Sequence, residues 1–359
     1  MVVHRRGGGI SGLATATTLR KAGHEVLVLE KGGGKIKHKD LYTMLYQLAV
    51  KEGAKIRFNT CVTEVDSSTA SVTTESGETI FADVIVGADG YDSVLRQVVT
   101  DSEDEPPNAQ DRHVIVTFTI PVHEMESDGD LRELLNLSEV GGKDLTATII
   151  HTYSGSLRPE QEDWSENRTL EQLQKILKRA TSVASRFYYV RQPPDDFVCA
   201  NSRVVLAGDR HTPCWLPGSN HGVSLIMEDA QTLGSLFARI RSRDQISQLL
   251  TAYEEIRHPH CYETQTWDYH QRLQMKAPVG PQQDGRDELL RQTMAYGGWD
   301  HMDEASFRLV WGMELTLFAH DATEKVEDWW GQYGAFITRR HDRSSMEVSV
   351  LLAGTTISE

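Results

Sequence analysis

The stretch Gly7-Gly-Gly-Ile-Ser-Gly-Leu-Ala-Thr-Ala-Thr-Thr-Leu-Arg-Lys-Ala-Gly-His-Glu-Val-Leu-Val-Leu-Glu30 constrains the fold more than any other part of the chain. Gly7, Gly9 and Gly12 fit the spacing GxGxxG, and Ile10, Leu13, Ala16 and Leu19 give the next residues one apolar helical face. Ala22-Gly23 stops that helix, because glycine takes the left-handed conformation past a helix C-terminus without a Cβ penalty. Glu25 to Glu30 then reads as a strand buried on both faces. Turn, helix, strand and terminal acid make the second half of a dinucleotide-holding βαβ unit. The first glycine allows the tight turn, the second lets backbone approach a pyrophosphate, and the third packs helix on strand. The helix N-terminus attracts the anion. Glu30, 23 residues after Gly7, is placed to accept both hydroxyls of a ribose.

The residues before the turn do not fit. Met1-Val-Val-His-Arg-Arg6 sets three polar side chains beside Gly7, where a buried apolar strand belongs. Burying an unpaired guanidinium costs several kcal/mol, so the first strand is expected to be frayed or shortened.

Further along, Asp40 to Glu52 is an amphipathic helix with Leu41, Met44, Leu45 and Leu48 on one face. Strands are expected at 55–58, 71–74 and 81–87, and residues 101–111 form an acidic, proline-containing boundary. Strands at 113–120, 145–152 and 186–190 around a helix at 170–180 read as an α+β insert. A buried strand returns at 203–209, followed by a long helix from 222 to 240. Residues 244–340 read as mostly helical, with loops at 277–285 and 297–300, and the last fourteen residues show no clear pattern.

Charge and cysteine usage narrow the function. Lys and Arg total 37 against 52 Asp and Glu, a net charge of −15, and so acidic a chain is a poor binder of nucleic acid. Apolar runs such as Val84 to Val86 are far too short to span a membrane. Cys61, Cys199, Cys214 and Cys261 form no CxxC pair, which points away from a disulfide framework and toward a reducing, cytoplasmic setting. Neither His211, Cys214 and His221 nor His258, His260 and Cys261 has a structural zinc spacing, so no metal is expected. Without a GxSxG elbow, hydrolase chemistry has no support.

Two more segments pair a strand end with an acid beside glycine: Ala82-Asp-Val-Ile-Val-Gly-Ala-Asp-Gly90, continuing to Arg96, and Arg203-Val-Val-Leu-Ala-Gly-Asp209, continuing through Pro217-Gly-Ser-Asn-His-Gly222 to Glu228-Asp229-Ala230. With GxGxxG they stand in the order of the three fingerprints of the single-component FAD-dependent aromatic hydroxylases, the p-hydroxybenzoate and salicylate hydroxylase group, which the chain resembles. Tyr253-Glu-Glu-Ile-Arg257, Gln283-Asp-Gly-Arg-Asp287 and His320-Asp321-Ala322 add to the likeness. The segment between Glu30 and the helix at 40–52 is shorter than in that family.

The resemblance implies FAD as cofactor and NAD(P)H as co-substrate. It places Gly7, Gly9 and Gly12 at the pyrophosphate, Glu30 and Lys31 at the ribose end, and His38 where the family has a phosphate-facing arginine. Asp89, Gly90 and Arg96 would support FAD and the approach of NAD(P)H. Gly208 and Asp209 would hold its ribityl or pyrophosphate part, and Gly218, Asn220 and Gly222 would pass beneath the flavin ring. The implied reaction is hydroxylation or epoxidation of an aromatic or secondary-metabolite substrate through a flavin C4a-hydroperoxide. His211, His221 and Pro217 are the weak catalytic candidates, the two histidines as proton relays. Val114, Val116, Phe118, Tyr153, Tyr188 and Trp215 are candidates to line a substrate pocket. The alternative is a truncated or repurposed member, a binding protein or a non-redox isomerase or cyclase.

The expected fold is α/β. A Rossmann-like FAD-binding domain is assembled from 1–110 and 197–250, a small α+β substrate domain is inserted at 111–196, and 251–359 form a helical C-terminal region. The expected partner is a small, aromatic or polycyclic molecule, with neither nucleic acid nor a membrane span. Nothing in the sequence sets the oligomeric state.

Overall fold

In a computed structural model of the chain, helix α1 (Ile10–Lys21) ends as its sequence dictates. Gly23 has φ +93°, its N–H donates to Arg20 O at 2.9 Å, and the N–H of His24 donates to Leu19 O at 3.1 Å. That double return of backbone bonds is the Schellman arrangement, and it feeds the chain into β1 (Glu25–Leu29), which is largely buried. The structure describes residues 9–32, 39–90, 94–100, 112–135, 144–153, 168–189, 194–208, 221–275, 280–294, 301–338 and 349–352. The remaining elements are α2 (Lys39–Lys51), β2 (Lys55–Arg57), β3 (Val62–Asp66), β4 (Ser71–Thr74), β5 (Thr79–Phe81), β6 (Val84–Gly87), α3 (Val94–Thr100), β7 (Arg112–Pro121), α4 (Val122–Glu126), α5 (Gly129–Leu135), β8 (Asp144–Tyr153), α6 (Arg168–Arg179), β9 (Ser182–Tyr189), β10 (Val204–Leu206), α7 (Gly222–Phe237), α8 (Ile246–Met275), α9 (Pro281–Met294), α10 (Glu304–Phe318), α11 (Ala322–Thr338) and β11 (Ser349–Leu352).

The chain divides into two compact units. One gathers Met1–Asp104, Gln192–Cys214 and Gly218–Glu359, and the helices after residue 250 belong to it. It is built on a parallel sheet of order β10-β6-β11-β1-β2, with an antiparallel meander β3-β4-β5. Strands covered on both faces must be apolar throughout, and every residue of β6 and β10 is buried. Helix α1 lies close along α7, where Thr18 Oγ1 donates to Ala230 O at 2.6 Å. Leu13, Leu19, Val28, Ile85, Leu206, Leu236 and Tyr253 are among the residues of one continuous core.

The second unit holds Glu105–Arg191 and Trp215–Pro217. Its described part is an antiparallel sheet of order β8-β7-β9, with Arg112 to Pro121 in full register against Tyr153 to Asp144. Phe118 and Ile120 of β7 pack with Met125, Leu131 and Ile176 in a core of their own. Phe118, a pocket-lining candidate, therefore spends its side chain inside this unit.

The centre of the parallel sheet departs from the sequence reading. In a dinucleotide fold the strand before the glycine turn takes the central slot. Here β11 fills it: Val350 pairs with Val26 of β1 on one side and Val84 of β6 on the other, parallel to both. The frayed-strand expectation at residues 1–6 falls outside the described residues, but the slot is not left open. The segment from 346 onward, expected to be patternless, supplies four residues of strand. Three further differences are local. The expected strand 81–87 is two strands, β5 and β6, and β3 and the short helices α4 and α5 were not foreseen. The loop expected at 277–285 gives way to α9 from Pro281, a residue suited to the first turn of a helix because it has no N–H to leave unbonded. Among the described residues no helix is long and apolar enough to cross a membrane.

Candidate cofactor site

Because β1, β6, β10 and β11 run parallel, their C-terminal ends share one edge of the sheet. Glu30 follows β1 and is buried at 3% exposure, with Oε1 accepting the N–H of Gly32 at 2.7 Å. Asp89 and Gly90 follow β6, and Arg96 sits on α3; Asp89 and Arg96 are both buried. Gly208 follows β10. Lys31 is half-buried beside Glu30.

Gly9 is the N-cap of α1, no side chain caps that end, and the first turn carries no acid. Gly12 is buried in the same helix. The first and third fingerprints meet directly. A Cβ at Gly208 would stand 2.5 Å from Ser11 Oγ and 2.7 Å from Ser11 Cβ, and the backbone there has φ +80°, so only glycine fits. Gly222 opens α7, with His221 as its N-cap. Gly7, His38, Asp209, His211, Pro217, Gly218 and Asn220 lie outside the described residues, as does Trp215. So do the side chains of Val114, Val116, Tyr153 and Tyr188.

The Gly208 turn is braced by charges that the sequence displayed only as separate motifs. Its N–H donates to Asp229 Oδ2 at 2.8 Å, and Asp229 Oδ1 accepts Arg257 Nε at 2.8 Å. The side chains of Asp229 and Arg257 have no exposed surface. Arg257 Nη1 also donates to Glu228 Oε2 at 2.8 Å, and Tyr253 Oη donates to Leu206 O at 3.0 Å. Burial alone would lift the Glu228 carboxyl, but the His260 hydrogen bond and the Arg257 charge outweigh it and hold the group below the usual range. Burial pushes the Cys261 thiol far up, so it is not a ready nucleophile.

Glu228, His260 and His320 bring one ligand atom each within 4.8 Å of the others. The two imidazoles stack at 3.6 Å with planes 15° apart, and Arg257 Nη1 lies 3.2 Å from His320 Nε2. An ion lies in the plane of each imidazole it binds, which stacked rings cannot offer to one ion, and a guanidinium already stands against the same atoms. The group works as a charge brace. Desolvation, then the positive charges of His260 and Arg257, depress His320 to about 4.

His221, a proton-relay candidate, is buried, and its Nδ1 lies 2.9 Å from Asp268 Oδ1 of α8. Its ring stacks on Phe318 at 4.8 Å and meets Trp267 edge-on at 5.4 Å. Asp268 was not foreseen, since nothing local in the sequence marks a residue 47 positions on as the partner of His221.

The described residues fit a dinucleotide. They provide an uncapped helix start, a buried carboxylate at the end of β1, a turn with room only for glycine, and Ser11 Oγ and Thr15 Oγ1 buried on α1 without a hydrogen-bond partner. Geometry thus defines the class, a dinucleotide-binding α/β protein. The family follows from comparison: FAD binding domain matches residues 35–268, and NAD(P)-binding Rossmann-like domain matches residues 7–54. The chain belongs to the FAD binding domain family, and its cofactor is FAD.

Among similar sequences is the FAD-dependent monooxygenase atnJ of Arthrinium sp, 24% identical over 310 residues, which cover 79% of this chain and 71% of that protein. Another is the 3-amino-4-hydroxybenzoate 2-monooxygenase of Streptomyces cremeus, 28% identical over 232 residues, covering 59% of this chain and 55% of that protein. Among solved structures, CtdE in complex with FAD and substrate aligns with a TM-score of 0.70 at 14% identity, covering 94% of this chain and 99% of that one.

Proposed function

We propose that the chain is an NAD(P)H-dependent flavin monooxygenase that inserts oxygen into an aromatic small molecule. The observation that carries this reading is the meeting of the fingerprints on one sheet edge, with Gly208 seated against Ser11 at the start of α1. When bound, FAD would take reducing equivalents from NAD(P)H and activate O2 for transfer.

The protein's part is placement. Gly7, Gly9 and Gly12 bring the start of α1 up to the pyrophosphate, and the uncapped N–H groups of the first turn attract it. Glu30 and Lys31 would take the ribose end, and His38 would serve the phosphates. Asp89, Gly90 and Arg96 flank the cofactor, while Asp229, locked by Arg257, fixes the turn from which Asp209 departs. Gly218, Asn220 and Gly222 would let backbone approach the flavin ring. The relatives named as monooxygenases support the reaction class.

The test is the visible absorption spectrum of purified protein before and after adding excess FAD, followed by NADPH consumption with a panel of phenols. Stoichiometric bound flavin and substrate-stimulated NADPH oxidation are expected. Protein that stays colourless and cannot be reconstituted would overturn the proposal.

A further inference from the structure

Helices α8 and α11 run antiparallel. Gln245, just ahead of α8, donates through Nε2 to Ile337 O at 3.1 Å, while Trp329 Nε1 donates to Glu255 Oε2 at 2.7 Å. Residues of both helices line a cleft of about 390 Å³, to which Thr316 of α10 and His320 also contribute. Small-molecule sites run from roughly 300 to 1,000 Å³, so a compact metabolite fits. None of the lining residues belongs to the cofactor edge built around Glu30, Asp89 and Gly208.

Acceptors gather on the α8 side. Residues 255, 259 and 263 follow one another at intervals of four, which puts them on one helix face, and all three line the cleft. Pro259 stands inside α8 and has no N–H, so the carbonyl of Glu255 cannot receive the bond that the helix would otherwise give it. Glu255 spends Oε2 on Trp329 and keeps Oε1, and the exposed Glu263 enters no ion pair among the described residues. Two carboxylates and a carbonyl released by proline suit a ligand that brings an ammonium group.

Donors come from the other elements. Arg257 Nη1 lies 3.2 Å from His320 Nε2, and a guanidinium only donates, so Nε2 accepts. His320 is neutral above about pH 4, so its single ring proton sits on Nδ1. Lys325 of α11 lines the same cleft, close enough for its charge to depress His320, and it too enters no ion pair among the described residues. In the register set by Glu255 and Trp329, Lys325 falls opposite Pro259, between the two carboxylates. Both signs of charge are therefore within reach of one small molecule. Trp329 and Tyr333, with ring centroids 5.3 Å apart, add a flat apolar surface.

We propose that this cleft binds an α-amino acid with an aromatic side chain, its ammonium on Glu255 and Glu263, its carboxylate on Lys325 and His320 Nδ1–H, and its ring on Trp329 and Tyr333. A simple anion meets Glu263 and a simple cation meets Lys325, so only a zwitterion uses both sets of groups. The inference goes beyond the flavin reading and does not depend on it.

The test is isothermal titration calorimetry of the full chain with L-phenylalanine and three analogues that each lack one feature. 2-Phenylethylamine lacks the carboxylate, 3-phenylpropionate the ammonium and L-alanine the ring. L-Phenylalanine is expected to bind saturably, and each analogue at least tenfold more weakly. Lys325→Met should weaken L-phenylalanine about tenfold and leave 2-phenylethylamine no weaker. Glu263→Gln should weaken L-phenylalanine about tenfold and leave 3-phenylpropionate no weaker. Both side chains are exposed, so both variants should fold, which circular dichroism checks. Absence of binding, equal affinity for any analogue, or an affinity untouched by the two variants would overturn the proposal. FAD content is read separately from the flavin band, so a chain that binds L-phenylalanine but no FAD would keep this site and refute the flavin reading.

Discussion

Replacing Arg257 by methionine keeps much of the aliphatic stem and deletes the guanidinium. The wild-type side chain is fully enclosed and donates to Asp229 Oδ1 at 2.8 Å, Glu228 Oε2 at 2.8 Å and Leu225 O at 3.3 Å. Glu228 can turn toward solvent, but Asp229 is completely buried and would be left as a carboxylate without its counter-charge. Breaking a buried ion pair from one side costs about 3–5 kcal/mol, most of it the desolvation of the charge left behind. A domain is stable by roughly 5–15 kcal/mol in total, so Arg257→Met should lose about a fifth or more of what holds the chain folded. Adding Asp229→Asn removes the stranded charge, and the amide oxygen can still accept the N–H of Gly208. The double variant should recover at least about 2 kcal/mol of the loss. Urea unfolding followed by tryptophan fluorescence measures all three proteins. A single variant within about 1 kcal/mol of wild type, or a double variant no more stable than the single, would falsify the brace.

Gly208→Ala should leave the far-ultraviolet spectrum unchanged and weaken FAD binding at least tenfold by flavin-fluorescence titration, because its Cβ would stand 2.5 Å from Ser11 Oγ at φ +80°. Equal affinity would show that the contact between α1 and the β10 turn does not shape the site. His320 is held at about 4 in the folded protein against 6.5 when unfolded. The unfolded chain therefore binds the proton first as pH falls, so the stabilisation is complete above about pH 6.5 and lost toward pH 4. The full shift corresponds to roughly 3 kcal/mol, which the partial exposure of His320 screens to roughly 1–2. His320→Gln should flatten that part of the stability–pH curve, and a curve of unchanged slope would count against the assignment. A chain ended at residue 348 lacks β11 and leaves β1 and β6 unpaired along the middle of the sheet. It should fail to accumulate as soluble protein, whereas deletion of residues 1–6 should cost far less. The reverse order would refute the central role of β11.

What the sequence disclosed follows from how far each signal reaches. The helix stop at Gly23, the buried strand after it and Glu30 at its end are set by neighbouring residues, and all three stand where the pattern put them. The long strands of the second unit alternate over many residues and were found for the same reason, although β9 begins at Ser182, well ahead of its expected start. Ser349–Leu352 is too short to announce itself, and what makes it a strand is the pair of neighbours on either side. Glu228-Asp229-Ala230 and Tyr253 to Arg257 were each conspicuous, yet only folding shows that one braces the other across 28 positions. His221 drew notice for its place in a motif. Asp268, further along α8 than the residues that stood out there, drew none.

The position of β11 also sets an order of events during synthesis. β1 and β6 leave the ribosome early, with residues 88–348 still to come before the strand that separates them. Through that interval the two strands face a gap with open hydrogen-bonding edges, the kind of surface on which chains pair with the wrong partner. The dinucleotide site cannot be complete while the gap is open, so the nascent chain is expected to bind no cofactor until β11 arrives. Contacts that distant in sequence form slowly, which makes the yield of folded protein depend on how long that seam stays open.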